Sequence, residues 1–252
     1  MNFVKTVIEL LNKAPLCYRS LSEDSCEELT DYLKENLPSD SYITEAGLTK
    51  FVIIPKDKNE PYVIKIPFCQ RFNEDAYDDA CYEYGKWTEE SEEEEPMDPE
   101  RDDYFFPLEG AYRAKFNNAE WDYCGLEVAL YEEAKIRGLD KYFAQEQIIC
   151  TLEQHLYPVY IQQKVDSFYS YYDYLSREER ESASARCSKE IKPYDMLFDA
   201  TWVARFLDIY GCDEYKKLLI FLDEFDIMDF HRGNIGFYQG LPILFDYSGF
   251  DS

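Results

Sequence analysis

The amino-acid sequence predicts an α+β fold in which a small β-rich body is followed by a helical one. Short β-branched or aromatic runs cluster at 42 to 44, 50 to 55 and 62 to 68, and two more stand at 147 to 152 and 157 to 165. One long helical pattern, at 126 to 143, separates the two groups, and helical spacing takes over from about residue 167. At 252 residues the chain has room for one large domain or for two small lobes sharing a cleft.

Ahead of the strands, Val4, Val7, Ile8 and Leu11 share a helical face. Two N-terminal helices are expected, over 2 to 13 and 22 to 36, the second capped by Ser22. The runs KFVIIP and YVIKIPF flank the polar turn KDKNEP and read as a hairpin. LEVALYEEAKIRGLDKYF consists mostly of good helix formers, with Leu130, Ala134 and Gly138 at helical spacing. After the strands QIICTL and YPVYIQQKV, the tyrosine-rich stretch near 167 to 175 reads as helix and REERESASARCSKEIK as a polar separator. Helices are expected near 194 to 210 and 213 to 225, and NIGF and PILF, joined by YQGL, form short strands.

Composition narrows the function classes. Hydrophobic residues make up 46% of the chain and aromatics 17%, too many for a chain disordered throughout. A formal charge of -26 repels nucleic-acid phosphates and anionic lipid headgroups, so direct nucleic-acid binding is not expected. From Glu74 to Asp103 there are 15 acidic residues against Lys86 and Arg101. This segment reads either as a solvated insertion or as a docking surface for a basic protein partner. Eight cysteines without CxxC spacing and two histidines make no zinc pattern, and reduced, packed thiols are expected. With no secretory signal and no apolar run of membrane length, the expected location is cytoplasmic.

The chemistry gathers near the C-terminus. Asp229 is followed five residues later by Asn234, and Asp246 stands 12 residues beyond that, after the apolar run ILF. A hairpin between them would bring Asp246 back beside Asn234. Phosphoryl transfer needs a carboxylate near the acceptor hydroxyl and oxygen ligands that hold Mg²⁺ against nucleotide phosphates, and these three residues can supply them. Upstream, Lys65 sits between apolar residues in YVIKIPF, where strand alternation also permits an exposed lysine. His231 can orient the loop around it or simply pack.

The segment DFHRGN resembles the D-x-H-x-x-N catalytic loop of the protein-kinase-like superfamily, in particular its aminoglycoside and choline phosphotransferase branches. DYSG stands where that superfamily has D-F-G, and YVIKIPF resembles its V-A-I-K strand. The resemblance spans roughly 42 to 250 and implies a two-lobed protein-kinase-like fold: a small antiparallel β-rich N-lobe, a reduced helical C-lobe and extra N-terminal helices. The corresponding boundaries are 1–40 for the helical extension, 41–165 for the N-lobe with its acidic insertion at 74–103, and 166–252 for the C-lobe.

It further implies ATP and Mg²⁺ as cofactors. Asp229 becomes the catalytic base or hydroxyl-orienting residue, and Asn234 and Asp246 the metal ligands. Lys65 becomes the phosphate lysine and Glu127 its helical partner, with Glu133 as the alternative partner. In the turn TEAGLTK, Gly47 would allow close backbone approach while Thr49 and Lys50 contact phosphate, although an ordinary hairpin turn fits those residues as well. The backbone around Gln163 to Val165 would face the adenine. The expected activity is an ATP- and Mg-dependent phosphotransferase with an unassigned acceptor, protein or small molecule. Two alternatives stand beside it: a nucleotide-binding pseudokinase, and an acidic interaction module that imitates nucleic-acid charge. The chain ends at Ser252, shortly after Asp246, without the activation segment and A-P-E motif of protein kinases.

Overall fold

Alternation along the strands sorts their side chains into an apolar face and a polar face, and this decides where the helices lie. The computed structural model describes residues 3–14, 26–47, 49–68, 70–72, 82, 105–107, 123–152, 157–191, 197–227 and 231–247. In chain order the first half gives α1 (Phe3–Leu11), α2 (Cys26–Asn36), β1 (Tyr42–Ala46), β2 (Lys50–Pro55) and β3 (Tyr62–Pro67). The short strands β4 (Gln70–Phe72) and β5 (Phe105–Pro107) and the helix α3 (Tyr123–Ile136) follow. Then come β6 (Glu146–Leu152), β7 (Tyr157–Gln163), β8 (Asp166–Ser167), α4 (Phe168–Tyr172), α5 (Arg177–Glu190), α6 (Ala200–Tyr210), α7 (Cys212–Glu224), β9 (Ile235–Tyr238) and β10 (Leu241–Leu244). The fold is α+β.

Five strands form one antiparallel sheet in the order β1-β2-β3-β7-β6. Register pairs Phe51 with Ile66, and Ile53 with Ile64, which in turn faces Ile161. These residues and Val159 meet Val7, Leu11, Leu29 and Leu33 of α1 and α2 in one buried cluster. Each such leucine, removed from water, contributes about 1.5–3 kcal/mol. The N-terminal helices thus cover one face of the sheet. The opposite face carries Lys50, Lys65 and Gln162, all buried.

A second apolar core joins α3 to the C-terminal helices. Leu126, Leu130 and Ala134 belong to it, together with Trp202, Phe206, Phe221 and Leu222. The helix expected over 126 to 143 stops at Ile136, where the chain turns in a Schellman motif. Gly138 N–H donates to Lys135 O at 3.1 Å and Leu139 N–H to Ala134 O at 2.8 Å, and Gly138 takes the positive φ of 70° that this ending requires.

The polar segment REERESASARCSKEIK is not a separator: most of it is α5. Its apolar content is too low to show an amphipathic stripe, yet it has a complete capping box between Ser176 and Glu179. Ion pairs at helical spacing, Arg177 with Glu181 and Arg186 with Glu190, line its exposed side, and Cys187 is its buried contact. The helix expected from 194 begins at Ala200, where Asp199 accepts from Thr201 N–H at 2.8 Å.

The last hairpin, β9 and β10, turns at Gln239 and Gly240 and adds β8 to make a three-stranded sheet. Its β10 end is bonded to the segment after α3: Ala144 N–H donates to Leu244 O at 2.7 Å, and Tyr247 O–H to Ala144 O at 2.9 Å. The strands β4 and β5 were not anticipated. They pair Phe72 with Phe105 and so bracket the acidic stretch. The acidic insertion itself, apart from Tyr82, and the Ser22 cap lie outside the described residues. No helix among the described residues is long and apolar enough to cross a membrane.

Gly236 sits where the β7–β8 connection crosses the hairpin. A Cβ there would lie 2.4 Å from Asp166 O and 2.6 Å from Val165 Cγ1, and its own carbonyl accepts from Trp202 Nε1 at 3.1 Å. Gly236→Ala is expected to cost about 1–3 kcal/mol through forced backbone displacement, read as a lower urea midpoint. A variant as stable as the parent would contradict this packing.

Candidate functional site

Between the polar face of the sheet and α3, two ammonium groups share one carboxylate. Glu127, on the first turns of α3, is fully buried while its helical neighbours Leu126 and Leu130 face the second core. Lys65 Nζ lies 2.7 Å from Glu127 Oε2 and 2.9 Å from Glu146 Oε2. Gln162 Nε2 donates to the same two carboxyl groups, at 2.8 Å each. Lys50 Nζ bonds Glu127 Oε1 on one side and Asp246 Oδ1 on the other.

The register explains the convergence. Gln162 stands opposite Val63 on one side and Glu146 on the other, and Lys65, opposite Val52 and Tyr160, and Lys50, opposite Pro67, lie on that same face. The sheet supplies two lysines, a glutamine and a glutamate; the helix supplies the carboxylate between them.

Burial acts against every charge here, and neighbours decide the outcome. It disfavours the Lys50 ammonium, but Asp246 and Glu127 override it and hold the group well above the usual lysine range. Lys65 is raised in the same way, with Glu127 and Glu146 overcoming its desolvation. Glu127 would be raised by burial, yet Lys50 and Lys65 hold it well below the usual carboxylate range. Glu146 goes the other way: burial, reinforced by repulsion from Glu127, pushes its carboxyl well above that range. Its Oε1 is buried without a hydrogen-bond partner among the described residues.

Asp246 reaches this cluster from the end of the hairpin. Ile235 pairs with Leu244, and Phe245 N–H donates to Asn234 O at 3.0 Å, so Asn234 and Asp246 flank the same end of the ladder and line one small cavity with Ile227 and Tyr247. Asn234 is buried, whereas the Asp246 side chain is 43% exposed and its backbone takes a positive φ of 54°. Tyr247 packs its ring against Phe143 at 5.0 Å. His231 accepts at Nδ1 from Gly233 N–H at 2.9 Å, so it orients its own loop.

The structure therefore joins Lys65, Glu127, Lys50 and Asp246, with Asn234 adjacent. Asp229 lies outside the described residues. Glu133, the alternative helical partner, pairs instead with Arg137 at 2.8 Å near the surface. Lys50, shared by the turn TEAGLTK and the strand expected over 50 to 55, is the first residue of β2. In the turn before it, Gly47 N–H donates to Lys50 O, and Thr49 O accepts from Phe68 N–H. Among the described residues a Cβ on Gly47 would meet Lys50 O alone, at 3.9 Å, an ordinary contact.

The backbone at 163 to 165 departs from expectation. Gln163 N–H donates to Gln145 O and Lys164 N–H to Pro61 O, both at 2.8 Å, which commits two of the donors expected to face an adenine. Val165 packs against Gly236 through its side chain. Sequence reasoning missed Glu146, Gln162 and Tyr247. The first two become recognisable only with the strand register, and Tyr247 had a signal in its place after Asp246.

Among the described residues no three His, Cys, Asp or Glu side chains are grouped to hold a metal ion. Asn234 and Asp246 offer one amide and one carboxylate, a donor set suited to Mg²⁺, which keeps water and phosphate oxygens as its remaining ligands. No protein-family model, curated protein or solved structure matches this chain.

The Glu146 shift sets a sign for stability against pH. A carboxyl whose folded pKa is raised binds more protons folded than unfolded, so its contribution is complete below the ordinary carboxyl range and is lost as pH rises toward the raised value. Glu146→Gln is expected to escape that loss. Its melting temperature relative to the parent should climb as pH rises above the carboxyl range, and a difference that stays level or falls would contradict a raised Glu146 carboxyl.

Proposed function

We propose that this chain is a Mg²⁺- and ATP-dependent phosphotransferase of protein-kinase-like architecture. The observation that carries the reading is the bridge from Glu127 through Lys50 to Asp246, which ties a helix, a sheet and a C-terminal hairpin together at one point. The sheet order, with α3 inserted between β3 and β6, supports a β-rich N-lobe. The separate apolar core around α6 and α7 supports a reduced helical C-lobe.

In this reading a bound Mg²⁺ neutralises charge on the phosphates of the nucleotide. Asn234 and Asp246 would hold that ion, and the hairpin fixes their separation before any ligand arrives. A buried lysine held by Glu127 meets the phosphate oxygens, and its position costs no reorganisation when charge develops. Asp229, three residues before Arg232 in the sequence, would orient the acceptor hydroxyl and receive its proton.

The test is incubation with γ-labelled ATP and Mg²⁺, alone and with a cell lysate, followed by mass spectrometry for phosphorylated products. Mg-ATP at 100 times its Kd should stabilise the fold by about 2.7 kcal/mol. Asp229→Asn should lower transfer by about 10²–10⁴-fold while keeping that stabilisation, and Asp246→Asn should lose both. Stabilisation without transfer in the parent would make the chain a nucleotide-binding module. Neither effect in the parent would overturn the reading.

A further inference from the structure

The two lysines that share Glu127 are not equivalent. Lys65 closes a ring with Glu127, Gln162 and Glu146, in which both carboxyl groups accept from Lys65 and from the Gln162 amide. The side chains of Lys65, Glu127 and Glu146 are exposed by 3% or less. Lys50 has its second partner elsewhere, in Asp246, whose side chain opens to solvent.

We propose that Lys50 of β2 is the lysine that meets the phosphates of a bound nucleotide, while Lys65 of β3 serves as the fixed counter-ion of Glu127, positioned by Glu146 and Gln162. The inference rests on the nucleotide reading and reverses the roles that the YVIKIPF pattern suggests.

Three features carry it. To reach a phosphate, Lys65 would have to leave two fully buried carboxyl groups with Gln162 as the donor they share. Lys50 is buried as well, but if it moved toward a phosphate Glu127 would keep Lys65 and Gln162 as donors, and its other carboxylate partner, Asp246, is 43% exposed. Lys50 also lies at the root of the β1–β2 turn, with its carbonyl held by Gly47 N–H, and its ammonium already touches the residue assigned to the metal. A cation beside that carboxylate is where phosphate oxygens bridged to Mg²⁺ would come.

The experiment uses the unmodified protein and an ATP-derived acyl phosphate, a mixed anhydride on the terminal phosphate. The amine nearest the phosphates attacks the acyl carbon, an amide C–N bond forms, the acyl–oxygen bond breaks, ATP departs, and the amine loses a proton. Peptide mass spectrometry then identifies the modified lysine. Acylation at Lys50 that excess Mg-ATP suppresses, with Lys65 unmodified, is the expected result. Suppressible acylation at Lys65, or equally at both, would overturn the division of roles and leave the nucleotide reading standing. Suppressible acylation at neither would overturn both. Calorimetry on Lys50→Met gives a second readout: affinity for Mg-ATP should fall about tenfold or more, the scale of a lost charge-assisted hydrogen bond, with adenosine binding unchanged. An equal fall for both ligands would place Lys50 away from the phosphates.

Discussion

One carboxylate, that of Glu127, holds two buried lysines against a sheet that would otherwise have no reason to keep them. An unpaired ammonium in such a setting gives up its charge or its burial, and a buried ion pair that loses one partner costs about 3–5 kcal/mol. The position of α3 across the sheet, the inward direction of Lys50 and Lys65, and the approach of the hairpin through Asp246 all follow from satisfying that group. Gln162 donates to the acceptor capacity that the lysines leave over on Glu127, and Glu146 accepts from both Lys65 and Gln162.

The two apolar cores prepare this seam from opposite sides. With α1 and α2 sealing one face of the sheet, the buried polar residues Lys50, Lys65, Gln162 and Glu146 stand on the other. The second core fixes α3 by Leu126, Leu130 and Ala134, and fixes the hairpin by Ile235, Phe237 and Leu244. Asp246 is then held to the remainder of the site by main-chain bonds at Ala144 and by the ring of Tyr247, not by its own ion pair alone.

Much of this could be read from local pattern. The strands at 42 to 68 and the hairpin after Asn234 depend on periodicity and spacing, which a sequence displays directly, while the pairing of Lys65 with Glu127 is implied by the resemblance of YVIKIPF to a kinase-like strand. What could not be read depends on which residues stand opposite each other. Glu146 and Gln162 look like ordinary polar residues at the ends of strands until their register is known. Lys50 looked like part of a turn because it is the boundary residue of β2, where a shift of one position changes the face to which a side chain points. The helix α5 was hidden for another reason: a helix held by its cap and by surface ion pairs shows no apolar stripe. Asp229 and the acidic insertion carry sequence arguments alone.

The central claim is that the cluster around Glu127 is the phosphate end of a nucleotide site. A crystal structure with Mg²⁺ and a non-hydrolysable ATP analogue measures this most directly. The account requires the metal between Asn234 and Asp246 and phosphate oxygens within hydrogen-bond reach of Lys50 Nζ, with Lys65 still bonded to Glu127 and Glu146. Nucleotide bound elsewhere on the molecule, with this cluster unchanged and sealed, would contradict it.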